Sequence, residues 1–178
     1  MRRIAISTLA LLTVLGGCGP KPPPANVTAA VAPAVKPRRA IPDPVAFVTE
    51  VYGHLSKSDP YNPPEDIYTP RLQGLWDAMA HDYADGQEVG PIDFEFWTNS
   101  QDWQLKDVTI TSLPVEKHTD RKVVIAKFKN IDRAEEVHFY FEQTGANWLL
   151  DDARSVGKQA WTLSTILKYG WDDPNGAS

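Results

Sequence analysis

Cysteine is almost absent. The 178-residue chain carries one, Cys18, so no disulfide can close within it and a packed core must hold the fold. Acid is missing from the first 42 residues, and all 23 Asp/Glu fall in residues 43–178. No apolar run reaches the roughly 20 residues that a membrane-spanning helix needs; Ile4–Leu15 has twelve. A glycine-rich phosphate cradle is missing too: Gly157-Lys158 has no glycine loop before it and is followed by Gln159. The G-x-S-x-G of an activated serine does not occur. His54, His81, His118 and His138 show no zinc-type spacing. These absences leave no cofactor motif, no metal motif and no catalytic constellation of a familiar kind.

What stands at the N-terminus is an export signal. Arg2 and Arg3 precede the short apolar run, the layout of a cleaved signal peptide. The run ends in Leu15-Gly16-Gly17-Cys18, which resembles the bacterial lipobox, where cleavage exposes the cysteine thiol as the nucleophile that accepts lipid. Residues 1–17 are therefore expected to be a lipoprotein signal peptide and Cys18 the lipidation site. Several acyl chains on one residue exceed what stable anchoring requires. In a Gram-negative envelope, Gly19 directly after the cysteine implies an outer-membrane anchor on the periplasmic side. Residues 18–42, with "GPKPPPANVTAAVAPAVKPRRAI" from Gly19, are rich in Pro, Ala and Val and lack aromatics. Such a segment reads as a semi-extended tether; in polyproline form it would reach on the order of 70 Å. Lys21, Lys36, Arg38 and Arg39 make it basic. Residues 43–178 set twelve Lys/Arg against 23 Asp/Glu, a net charge of −11, which excludes nucleic acid as a partner.

Residues 43–170 read as one domain and 171–178 as a flexible tail. Asp43 caps a helix whose first residue is Pro44, with Phe47, Val48, Val51, Tyr52 and Leu55 at helical spacing. A second helix is expected from about Thr69 to Asp85, burying Leu72, Leu75, Trp76, Met79 and Tyr83. The period then changes to two. "DVTITSL", "KVVIAKF", "EVHFYFEQ" and "NWLLDDAR" predict four strands joined by hairpins. A closing helix is expected over roughly Lys158 to Lys168. Helices, a meander and a last helix make an α+β fold, with helices packed on a bent antiparallel sheet of about four strands.

Three stretches are distinctive: "PIDFEFWTNSQDW" with the "VTI" strand after it, the Trp-x-x-Asp-Asp-x-Arg ending of "NWLLDDAR", and the closing "LSTILKYG". Together they resemble a family of bacterial lipoproteins and periplasmic proteins with the cone-shaped nuclear-transport-factor-2-like fold of the cystatin-like superfamily. The resemblance spans about residues 44–170. It implies a conical domain with a pocket or a concave sheet face, and it carries no defined catalytic set onto this chain.

The candidate chemistry lies in three places. Asp93, Glu95 and Asp102 stand among Phe94, Phe96, Trp97 and Trp103. A carboxyl in an apolar pocket has the raised pKa that acid/base work needs, as ketosteroid isomerase illustrates. Against that, Asp93 and Glu95 alternate with Ile92, Phe94 and Phe96, as solvated acids on an extended edge would. Asp102, beside Asn99, Ser100 and Gln101, suits a turn or cap. Asp151 and Asp152 alternate at a strand end, which sends them to opposite faces; one of them can pair with Arg154 or with a lysine on a neighbouring strand. Asp77, His81 and Asp85 share a helix face, which reads as a solvated face rather than a metal site. Trp161 and Trp171, outside the strand pattern, can stack on a sugar or a partner protein, or pack at the edge of the core.

These residues point first to a non-enzymatic, membrane-anchored lipoprotein whose domain binds an envelope protein or small ligand through its concave face. Asp93, Trp97, Asp102, Trp103, Asp152 and Arg154 are the pocket candidates. A hydrolase or isomerase with a pocket carboxylate is the enzymatic alternative. An immunity or inhibitor protein against a toxin is a third, since an acidic surface suits a basic partner.

Overall fold

Asp43 accepts the Val45 amide hydrogen at 2.9 Å and Thr69 accepts that of Leu72 at 3.2 Å, so each of the first two helices starts on a side-chain cap followed by proline. They are α1 (Pro44–Leu55) and α2 (Pro70–Asp82) in a computed structural model that describes residues 38–57, 61–84, 86, 90–157 and 160–171. The expected signal peptide, Cys18, most of the tether, Asp85, Lys158 and residues 172–178 lie outside the described residues.

After the helices come β1 (Leu105–Val115), β2 (His118–Asn130), β3 (Arg133–Thr144), β4 (Asn147–Ser155), β5 (Trp161–Thr162) and α3 (Leu163–Tyr169). Among the described residues the fold is α+β, with three helices and an open antiparallel sheet in the order β1-β2-β3-β4-β5. Each of the first three strand connections is two residues long. Gly145, in the last of them, has φ 64°, a conformation that glycine adopts freely. The sheet has one strand more than the sequence pattern predicts. Trp161 and Thr162 pair with Ser155 and Arg154, so the closing helix begins only at Leu163. Two residues are too few for a period of two to register.

One face of the sheet is the core. Val124, Ala126 and Phe128 of β2, Val137, Phe139 and Phe141 of β3, and Leu150 and Ala153 of β4 are buried with Val48, Val51, Tyr52 and Leu55 of α1. Leu163, Ile166 and Leu167 of α3 join them. The α2 helix is held less deeply: Leu72 is buried, whereas Leu75, Trp76 and Met79 are partly exposed. The other face of β2 and β3 carries directly paired residues, with Arg121 on Glu142 at 2.8 Å and Lys127 on Glu136 at 3.1 Å.

The fold takes in residues on both sides of the 43–170 range. Ile41 is 1% exposed and its carbonyl accepts the Trp148 amide hydrogen at 2.8 Å; the Arg39 amide donates to Asp66 O at 2.8 Å. The last residues assigned to the tether thus belong to the fold. At the other end, the Trp171 indole donates to Pro91 O at 3.0 Å, although Trp171 was expected to begin the tail.

Candidate functional site

The segment between α2 and β1 folds as a tight turn against the end of the sheet. Glu95 and Ser100 exchange backbone hydrogen bonds (3.0 and 3.4 Å), and the Thr98 amide donates to Glu95 O at 3.1 Å. The turn drives Trp97 into the core, where it is 1% exposed and stacks on Phe139 with ring centroids 4.4 Å apart. Buried Tyr52 donates its hydroxyl to Trp97 O at 2.5 Å. Trp97 is therefore a core anchor, and it also borders the opening between α2 and residues 92–97 described below.

Asn99 sits at the turn's tip with φ 53°. Its amide nitrogen donates to Glu135 Oε2 (2.7 Å) and Ser155 Oγ (3.2 Å), and its oxygen accepts the Trp161 indole hydrogen at 2.6 Å. Arg133 ion-pairs with Glu135 and donates to Asn99 O at 3.1 Å. Glu135 is 8% exposed, so its charge is compensated by the guanidinium and the amide together. This network was not foreseen from sequence, although a signal existed. Glu135 occupies the same strand parity as Val137, Phe139 and Phe141, an acid on an apolar face.

Three openings among the described residues bear on the candidate positions. The first, about 650 Å³, is an aromatic cleft. Phe94 lies 5.4 Å from Trp161 and 5.9 Å from Trp171 between ring centroids, and Trp171 is 59% exposed. Asp93, Asn99, Gln101 and Arg133 supply its polar edge, with Gln101 Nε2 donating to Asp93 at 3.2 Å. The second, about 370 Å³, lies between α2 and residues 92–97 and contains Glu95, Tyr68 and Trp76. The third, about 570 Å³, lies over β1 to β4 and is lined by Leu113, Val123, Tyr140, Asp152 and Arg154 among others.

The candidate residues are thus dispersed. Asp93 belongs to the aromatic cleft, Asp152 and Arg154 to the sheet opening, and the two places share no residue. Asp102 is exposed, and among the described residues only its backbone carbonyl is engaged, accepting from Asn130 Nδ2 at 3.3 Å. Trp103 is 37% exposed. Neither residue lines any of the three openings. Among the three acids of the aromatic stretch, Glu95 has the apolar surroundings that acid/base work needs. Burial pushes its carboxyl up from the ordinary value, opposed by the Trp97 amide that it accepts at 3.2 Å. Burial also raises the hydroxyl pKa of Tyr68 and of Tyr52, with Glu95's charge adding to each shift.

Asp151 and Asp152 depart from the alternation expected of them. A bulge falls between Tyr140 and Phe141, where Asp151 is the unpaired extra residue. Both carboxylates consequently reach one guanidinium, Arg71 of α2: Asp151 at 2.9 Å and Asp152 at 3.7 Å. Asp151 also accepts the Thr69 hydroxyl at 2.7 Å, and Asp152 accepts Ser164 N–H (3.0 Å) and Oγ–H (2.5 Å). The pair ties the starts of α2 and α3 to β4. Arg154 instead donates to Thr162 Oγ1 at 3.3 Å, so the pairing with Arg154 gives way to one with a residue 80 positions upstream. On α2, Asp77 accepts from Gln73 at 2.9 Å and exposed His81 lies 3.5 Å from Asp82. Among the described residues no helix is long and apolar enough to cross a membrane.

No protein-family model, curated protein or solved structure matches the chain.

Proposed function

We propose that the chain is a lipid-anchored envelope protein, fixed to the outer membrane through Cys18, whose acidic domain is a cone of the nuclear-transport-factor-2-like kind and works by binding rather than by catalysis. The observation that carries this reading is the aromatic cleft. Phe94, Trp161 and Trp171 come from two distant parts of the chain and gather with Asp93, Gln101 and Arg133 at a rim braced by the Asn99–Glu135 network. Exposed indole beside planar polar side chains suits a sugar ring or a partner's side chain, because one flat apolar surface and a few oriented donors and acceptors are what such ligands meet. A rigid backing keeps the ordering cost of binding low. The core-facing side of the sheet is filled by its own side chains and α1, so the binding surface is assigned to its rim.

The test is capture from envelope extracts by the full chain, compared with a variant carrying Trp171→Ala and Asp93→Asn. Enrichment of a protein or glycan by the parent and its loss in the variant is the expected result. Equal capture by both would remove the cleft from the proposal, and no capture by either would remove binding through this domain.

A further inference from the structure

The two edges of the sheet are treated differently. The outer side of β4 is covered by main chain at three places. There β5 pairs with Arg154 and Ser155, Leu150 exchanges hydrogen bonds with Ile67 O (2.8 Å) and Thr69 N (2.9 Å), and the Trp148 amide donates to Ile41 O (2.8 Å). The outer side of β1 is open: among the described residues its main chain bonds to β2 and to nothing else. Thr109, Thr111, Ser112 and Leu113 are exposed, Leu113 by 53%. A free edge recruits further strands, so natural edges are blunted by charge, proline or a bulge. In β1 these devices stand only at the ends, as the bulge between Lys106 and Thr109, where Asp107 has φ 54°, and as Pro114. The run between them, Thr109-Ile110-Thr111-Ser112-Leu113, has no charge, proline or glycine and is rich in β-branched residues.

We propose that β1 is a docking edge whose occupant is β1 of a second copy, paired antiparallel about a two-fold axis through Thr111 so that one sheet runs across both copies. Alternate residues of an edge strand point their N–H and C=O outward, so two identical strands can pair only in registers that place outward-pointing residues opposite one another. The register centred on Thr111 meets that condition and uses the whole unblunted run. Thr109 faces Leu113 of the second copy and Ile110 faces its Ser112. At each end Lys106 comes beside Glu116 of the second copy; both residues are exposed, so unlike charges meet where the pairing stops. The contact uses the same edge on both copies and therefore closes at two. So short an edge buries little area, which makes the dimer weak and concentration-dependent. The inference is independent of the aromatic cleft and of what binds there.

The experiment follows self-association of the full chain in detergent, carrying Cys18→Ala so that no native thiol takes part. Sedimentation velocity over a range of concentrations should show a monomer–dimer equilibrium. Directly opposite residues hold their Cβ atoms about 4.5–5.5 Å apart, close to disulfide reach. Thr111→Cys should therefore form a covalent dimer on mild oxidation about tenfold faster than Asp132→Cys, an exposed control position in the β2–β3 turn. Thr111→Lys sets a charge opposite its own copy and should abolish the dimer without lowering the melting temperature of the monomer. Lys106→Glu or Glu116→Lys alone should weaken association several-fold, and the two together should restore it. A monomer at every concentration, a dimer that survives Thr111→Lys, cross-linking at Thr111→Cys no faster than at the control, or a double reversal no better than the single ones would each overturn the proposal. A monomer with slow exchange of every amide from Thr109 to Leu113 would overturn it in favour of another segment of the same chain on this edge. Trp171→Ala should leave the dimer unchanged, which separates this surface from the cleft.

Discussion

Asn99 connects three strands through one side chain, and its cost if lost can be divided. Replacing it by alanine leaves the Trp161 indole hydrogen and one oxygen of buried Glu135 without their partners, which costs about 1–3 kcal/mol. It also forces alanine into φ near 53°, for about 1 kcal/mol more. Asn99→Gly carries the first cost without the second. Chemical denaturation should therefore rank the parent above Asn99→Gly, and Asn99→Gly above Asn99→Ala. Glu95 makes a prediction of the other kind. Burial raises its folded-state pKa above the ordinary 4.5, so the folded state holds that proton more tightly than the unfolded chain. Stability must fall as pH rises from the ordinary value through the raised one. Glu95→Gln retains an acceptor for the Trp97 amide and removes the charge. Its melting temperature relative to the parent should increase between about pH 4 and pH 7, and parallel curves would show that the carboxyl is not desolvated.

The elements depend on partners at their ends. The α3 helix has seven residues and its cap residue, Thr162, makes no side-chain bond to it; isolated helices shorter than about 12 residues are marginal. Asp152, from β4, supplies the missing acceptor to Ser164. Asp152→Ala should cost about 1–2 kcal/mol, the scale of a lost cap, read as a lower denaturation midpoint. The β2–β3 hairpin offers a gain instead. Its turn puts Ile131, a β-branched residue that is 53% exposed, at φ 58°. Glycine there relieves about 1–2 kcal/mol of left-handed strain, offset by the freedom it adds to the unfolded chain, about 0.5–1 kcal/mol. Ile131→Gly should be modestly stabilising in the same measurement, and a loss would mean that the isoleucine is doing something in the fold beyond closing the turn.

At the scale of the molecule, the acidic domain and the basic, proline-rich segment before it divide the work assigned to this protein. If Cys18 is the anchor, Cys18→Ala should move the chain from the membrane fraction to the aqueous one without altering the thermal melt of the domain. An unchanged membrane fraction would reject the anchor. The acidic domain predicts a partner or ligand of positive charge, with affinity that falls as salt is raised.

The elements and their order were legible in the sequence because each has a local cause. Asp43-Pro44 and Thr69-Pro70 start helices, apolar stripes of period 3.6 continue them, and runs of period two make β1 to β4. Only tertiary structure decided which acids matter. Asp93, Glu95 and Asp102 lie within ten residues of one another, yet Asp102 is exposed, Asp93 edges a cleft and Glu95 is desolvated in a cavity. The same holds for Asp151 and Asp152, whose opposite-face expectation was undone by one bulge and by Arg71, and for Glu135 beneath Asn99. The physical reason is range: a helix or strand is selected by neighbours a few residues away. The dielectric and the partners of a carboxylate are set by groups 36 to 80 residues distant, which no local pattern encodes.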